Sequence, residues 1–254
     1  MYPFSLTGYH QLLDTLLQAG YHDCPFTEIE NALAEKQQCM VLRHDIDISL
    51  RPALKIAQIE HELGVSATYF VLLSSPFYNL FSRQNAEIIQ QIHDYGHDIA
   101  LHVDLTLYHD DYAAALGELH LLTHFYPFAN TQLVSLHSPL NLSTTPVESV
   151  PQLNAVYGAF LRGALSYISD STGRWRYGHP LDSETFYQRL PMQLLTHPIW
   201  WCQDGETPPD RLNRWLYADY LHNCTLMTSF LPKLFQGTEE GSGRNIHKIE
   251  AETR

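Results

Sequence analysis

Met40-Val41-Leu42-Arg43-His44-Asp45-Ile46-Asp47 opens on three apolar residues and closes on a segment crowded with charged and titratable ones. A short apolar run ending this way has the form of a buried strand whose C-terminal end turns polar. Asp45 and Asp47 lie two apart, so in extended backbone both carboxylates face the same way. Their repulsion there raises one pKa unless a cation intervenes. The bland alternative is a pair of loop carboxylates capping a helix near Pro52. Arg43 and His44, crowding the same few atoms, favour a functional cluster.

Outward from this segment the chain alternates. Upstream, residues 9–17 carry Leu12, Leu13, Leu16 and Leu17 at helical spacing, with Gly20 as a stop. Downstream, Pro52 suits the first turn of a helix that turns Ala53, Ile56, Ala57 and Leu63 inward and ends at Gly64. Residues 68–72 read as a strand. Residues 85–95 form a helix, with Ile88, Ile89, Ile92 and Tyr95 on one face and Gly96 at its C-cap. Residues 98–102 are a third strand. Tyr112, Ala115, Leu116, Leu119 and Leu122 mark one more helix, and residues 132–136 a strand running into His137-Ser138-Pro139. Later, residues 165–168 and 193–196 are the best strands, and 211–221 begin a final helix. Such alternation with short connections predicts an α/β fold of parallel strands joined by right-handed crossovers, as an open sheet or a barrel. We expect one domain over residues 1–235 and a mobile tail over 236–254, which has no apolar period.

At 254 residues, 44% hydrophobic and 17% charged, the chain suits one large core and excludes a disordered or fibrous protein. Its formal charge of -13 argues against a protein that grips nucleic acid or an anionic membrane. Cys24, Cys39, Cys202 and Cys224 show no CxxC pairing and read as reduced thiols. The N-terminal stretch lacks the pattern of a secretory signal, and no run approaches the length of a membrane span, so a cytoplasmic protein is expected. The 15 His exceed what packing needs, and their positions matter more than their number.

Polar groups recur at the C-terminal ends of the expected strands: residues 43–47, His102-Val103-Asp104, His137, Ser169-Asp170 and His197. In a parallel barrel that rim is one surface, where active sites are built. A ring of His and Asp has many ligating atoms, and a divalent metal offsets the cost of burying its carboxylates.

The segments LRHDIDIS, LGVSATYF, GHDIALHVD, SLHSP, SYISDSTGRWRYG and LLTHPIWW occur in the order found in NodB-type polysaccharide deacetylases. The chain resembles that family over about residues 40–201, and most closely its WbmS-like subgroup, associated with bacterial O-antigen synthesis. The resemblance implies a distorted (β/α) barrel and hydrolysis of an N-acetyl or O-acetyl group on a sugar, with a divalent metal, zinc first, as cofactor. It implies Asp45 as general base, Asp47 as the metal Asp and His197 as the general acid. The family's two Asp are adjacent, whereas Ile46 separates them here, so the roles can be exchanged. His102 matches the first metal His. The second family His falls on Thr106, so another ligand is needed, and we take His137, with Asp104 and His109 next. His97 resembles a family position that is not a ligand. Asp170, Trp175 and Arg176 resemble a segment that orients the base or frames the substrate. Arg43 either neutralises the carboxylate pair or binds a substrate phosphate.

Two other functions compete. The broken His pair at Thr106 suits a non-catalytic barrel that binds a sugar or a protein partner. A metal-dependent amidase acting on a non-sugar amide is the second, because fold does not fix function.

Overall fold

Every residue of the strand that begins at Cys39 is buried, which explains why its apolar start shows no alternation: it lies inside a parallel sheet with both faces covered. A computed structural model describes residues 3–109, 111–137, 147, 150–176 and 178–235. In chain order these form α1 (Leu6–Gln18), β1 (His22–Asp23), α2 (Ile29–Ala34), β2 (Cys39–Ile46), α3 (Leu50–Leu63), β3 (Thr68–Leu72), α4 (Arg83–Asp94), β4 (Asp98–Val103), α5 (Tyr112–Ala115), α6 (Gly117–Phe125), β5 (Asn130–Leu136), α7 (Pro151–Leu161), β6 (Ser166–Ser169), α8 (Glu184–Tyr187), β7 (Met192–Thr196), α9 (Pro208–Phe230) and α10 (Pro232–Phe235). Ser138, Pro139 and the expected mobile tail lie outside the described residues.

The strands run in the order β5-β4-β3-β2-β7-β6, with β1 beside the start of β2, and every described pairing is parallel. The α/β expectation therefore holds at the level of a parallel central sheet with surrounding helices. Its two end strands, β5 and β6, do not pair with each other among the described residues. The α7 helix, which joins them in sequence, packs against β5, and its Tyr157 hydroxyl accepts a hydrogen bond from the Leu136 amide at 2.8 Å.

One buried apolar cluster runs through the described chain from Tyr9 to Trp215. The α3 helix lies over the outer face of the sheet, stopped where Gly64 takes a φ of 72°, a left-handed conformation that glycine adopts without strain. Where a single helix was expected over Tyr112 to Leu122, the chain forms two. Leu119 N donates to Leu116 O across the junction, a tightened turn that contains Gly117, the weakest helix former of the run. The final helix is longer than expected, because Thr207 and Asp210 build a capping box around Pro208, which is tolerated in a first turn. No helix among the described residues is long and apolar enough to cross a membrane.

Candidate metal centre

Parallel strands put all their C-terminal ends on one rim, and β2, β4, β5, β6 and β7 each deliver a polar residue there. Asp47 follows β2, with its carbonyl accepting from Ser75 Oγ at 2.9 Å. His102 is on β4 and His137 directly follows β5, where its amide donates to Val103 O at 2.8 Å. Together Asp47, His102 and His137 form a candidate metal-binding triad.

Its edges are nearly equal. His137 Nδ1 lies 3.1 Å from Asp47 Oδ1, His102 Nε2 lies 3.3 Å from the same oxygen, and the two ring nitrogens are 3.3 Å apart. Ligands 2.0–2.1 Å from a tetrahedral ion stand about 3.3 Å from one another, so the triangle has the size of one face of such a coordination sphere. Ser135 Oγ holds His102 Nδ1 at 2.5 Å, leaving Nε2 to face the other two groups, as a hydrogen bond to the far nitrogen does in metal sites generally. The residues present therefore fit a divalent ion. Burial would raise the pKa of Asp47, but hydrogen bonds from His102 and His137 outweigh it and hold the carboxyl far below its usual range. The same Asp47 bond raises His137.

Asp45 flanks the triad, with Oδ2 3.8 Å from His102 Nε2. Both its oxygens accept from Arg43, from Nε and from Nη2, at 2.8 Å each. Burial works to raise its pKa, yet the Arg43 charge, with His102 and His197 beyond, keeps it below the ordinary carboxylate value. Arg43 is itself buried, sits over the rings of Phe70 and Tyr157, and donates to the Tyr157 hydroxyl at 3.2 Å. Arg43 is thus paired with Asp45.

Across the triad, His197 Nε2 is 3.8 Å from Asp47 Oδ2. Behind it Asp170 is fully buried. Its Oδ1 accepts from His197 Nδ1 at 2.7 Å, both oxygens approach the His197 amide at 3.0 and 3.1 Å, and Oδ2 accepts from Trp201 Nε1 at 2.8 Å. Burial pushes the His197 pKa down, but Asp170, with Asp47 and Asp45, more than reverses this and raises it to about 9.

Arg43, the triad, Asp45 and His197 line one cavity of about 470 Å³, walled further by Leu136, Tyr157, Phe160, Tyr167, Leu195 and Trp200. That is the size of a small-molecule site. No protein-family model matches the chain, and no curated protein matches it.

The expected site residues divide in two. Arg43, Asp45, Asp47, His102, His137 and His197 meet at the cavity. Asp170 stands behind His197, and neither Trp175 nor Arg176 lines the cavity; Trp175 packs against Phe4 and Trp201, and Arg176 is exposed. From that segment Ser171 and Thr172 reach the cavity instead. Asp104 accepts from Thr106 N and Oγ1 as the cap of a short turn, so Thr106 occupies an exposed, turn-forming position. His109 is exposed, and both ring nitrogens of His97 meet backbone groups. Sequence reasoning missed Ser135 and Tyr157. The first was legible in principle, because it lies two before His137 on an alternating strand.

Proposed function

We propose that this protein is a metal-dependent hydrolase that removes an acetyl group, N-acetyl before O-acetyl, from a sugar or saccharide precursor. In this reading the sheet is the distorted barrel of the NodB-type deacetylases and the work is cytoplasmic, on a precursor for a bacterial surface polysaccharide such as O-antigen. The observation that carries it is the triangle of Asp47, His102 and His137, flanked by a carboxylate on one side and a carboxylate-backed imidazole on the other. The six sequence segments that resemble those of the deacetylases support the same reading.

Asp47 Oδ1, His102 Nε2 and His137 Nδ1 would hold the ion, and two nitrogens with one oxygen suit zinc among divalent metals. When bound, it supplies a Lewis acid that lowers the pKa of water and polarises the acyl carbonyl. Asp45, kept ionised by Arg43, accepts the proton of the attacking water through a lone pair that Arg43 leaves free. His197, protonated at neutral pH, gives its proton to the departing nitrogen, and Asp170 keeps the donor Nε2 turned to the cavity. The developing imidazole stays in place through its Nδ1 bond.

Elemental analysis of the purified protein tests this directly. Near-stoichiometric zinc is expected in wild type and its loss in Asp47→Ala and His102→Ala, together with acetate release from N-acetylated amino sugars by wild type only. A wild type that takes up no metal when supplied with zinc would leave the non-catalytic, ligand-binding barrel as the better account.

A further inference from the structure

Past Trp215 the final helix turns its apolar side away from the protein. Over the 23 residues of α9, Arg211 and Trp215 alone are buried among the described residues. The face that continues theirs is polar: Asp219 pairs with Arg51 of α3, and His222 Nε2 lies 3.0 Å from Gln84 Oε1 of α4. Roughly 140° round the helix, Leu216, Tyr217, Tyr220, Met227, Phe230 and Leu231 are exposed, Phe230 over 88% of its surface. An amphipathic helix ordinarily lays such a stripe on its own core. Here the two polar contacts hold it outward.

The stripe has the period of a joint between helices. Tyr217, Tyr220, Cys224, Met227 and Leu231 succeed one another at 3, 4, 3 and 4 residues, the spacing of a seam along which two helices pack. At roughly 200 Å² per large side chain, the exposed members of the stripe offer on the order of 700 Å² per copy. A standard interface takes about 800 Å² from each partner, whereas the largest apolar patch on a typical monomer is about 300–600 Å².

We propose that this face joins two copies of the chain, α9 packing on α9 about a two-fold axis near Cys224, the middle of the seam. The exposed area matches what each half of such a pair must supply. A second copy brings the same stripe, and no charge within it meets its own kind, because Asp219, the one Asp, Glu, Lys or Arg between Arg214 and Lys233, is turned to Arg51. Residues 236–254 hold only two large apolar side chains, Ile246 and Ile249, too few to cover the stripe. A membrane surface would call for Lys or Arg beside it, and this segment has none. The inference stands apart from the hydrolase reading, since no residue of the seam lines the cavity.

Sedimentation velocity of the full chain over a dilution series tests it. Wild type should run at twice the mass of one chain when concentrated and dissociate on dilution. Tyr220→Glu with Met227→Glu puts unpaired carboxylates into the seam and should raise the dissociation constant about a hundredfold or more, with the far-ultraviolet circular dichroism of wild type retained. Each chain carries a formal charge of -13, so added salt should tighten the pair. Hydrogen exchange needs no variant: the amides of residues 217–231 should exchange more slowly in the concentrated sample than in the dilute one. A monomer at every concentration, a dimer that the glutamates leave unchanged, or one that salt pulls apart would overturn the proposal. A monomer with those amides equally protected at every dilution would assign the face to residues 236–254, and one that floats with phosphatidylcholine vesicles would assign it to lipid.

Discussion

His197 keeps its proton at neutral pH because Asp170, enclosed behind it, accepts from its Nδ1 and its amide together. If it is the acid, activity should fall on the alkaline side through about pH 9, the value to which Asp170 and the other carboxylates raise it. Asp170→Asn keeps the shape but removes the charge, so that limb should move towards about 6.5 and the rate drop roughly a hundredfold. A pH profile of acetate release that is the same in both proteins would rule this out. The six residues at the cavity were legible because polar residues at the ends of apolar runs are expensive to bury without a purpose. Asp170 was legible as a position but not as a role. Which oxygen meets which nitrogen depends on Trp201 and the backbone of His197, brought together only by the sheet.

At the level of elements, β2 faces two ways. Arg43 and Asp45 point to the cavity, while His44 between them points to α3, where its Nε2 is 2.7 Å from Glu60 Oε1 and its Nδ1 2.8 Å from Thr196 Oγ1. Glu60 is fully buried and also accepts from the hydroxyls of Tyr9 and Tyr69, at 2.5 Å each, tying α1, α3, β2 and β3 together. Burial would raise its pKa, and His44, with His97 and the Tyr69 hydroxyl, lowers it instead. Glu60→Gln puts an amide N–H among donors and should cost about 3 kcal/mol, read as a lower denaturant midpoint. A variant as stable as wild type would show the network to be slack. Nothing in the sequence pointed to it: Glu60 has the polarity of a solvent-facing position in an amphipathic helix. The α7 helix escaped for another reason. Leu153, Val156, Tyr157 and Ala159 bury several of its sides, so no 3.6-residue stripe stands out. Two-residue β1 is too short to carry a period at all.

Over the whole molecule, these titrations set how stability follows pH. Asp45, Asp47 and Glu60 have lowered pKa values, so their contribution is present above about pH 4 and lost as pH falls below it. His197 is raised, so its contribution is complete below about 6.5 and disappears as pH climbs through about 9. His97 and His179, which burial lowers, act oppositely and cost stability below about 6.5. Urea midpoints of the metal-free protein should therefore peak near pH 6.5 and decline towards 9, and His197→Gln should flatten that alkaline decline. A midpoint that climbs steadily from pH 6.5 to 9 would contradict the assignment. The back-to-back arrangement on β2 also limits how this protein can change over evolutionary time. Inserting or deleting one residue before Arg43 would turn the guanidinium and Asp45 towards α3 and send His44 into the cavity, exchanging two chemistries at a stroke. Substitutions at single sites leave a lineage intermediate forms to pass through, whereas a length change in this strand leaves none, so among descendants of this chain the spacing should outlast the residues.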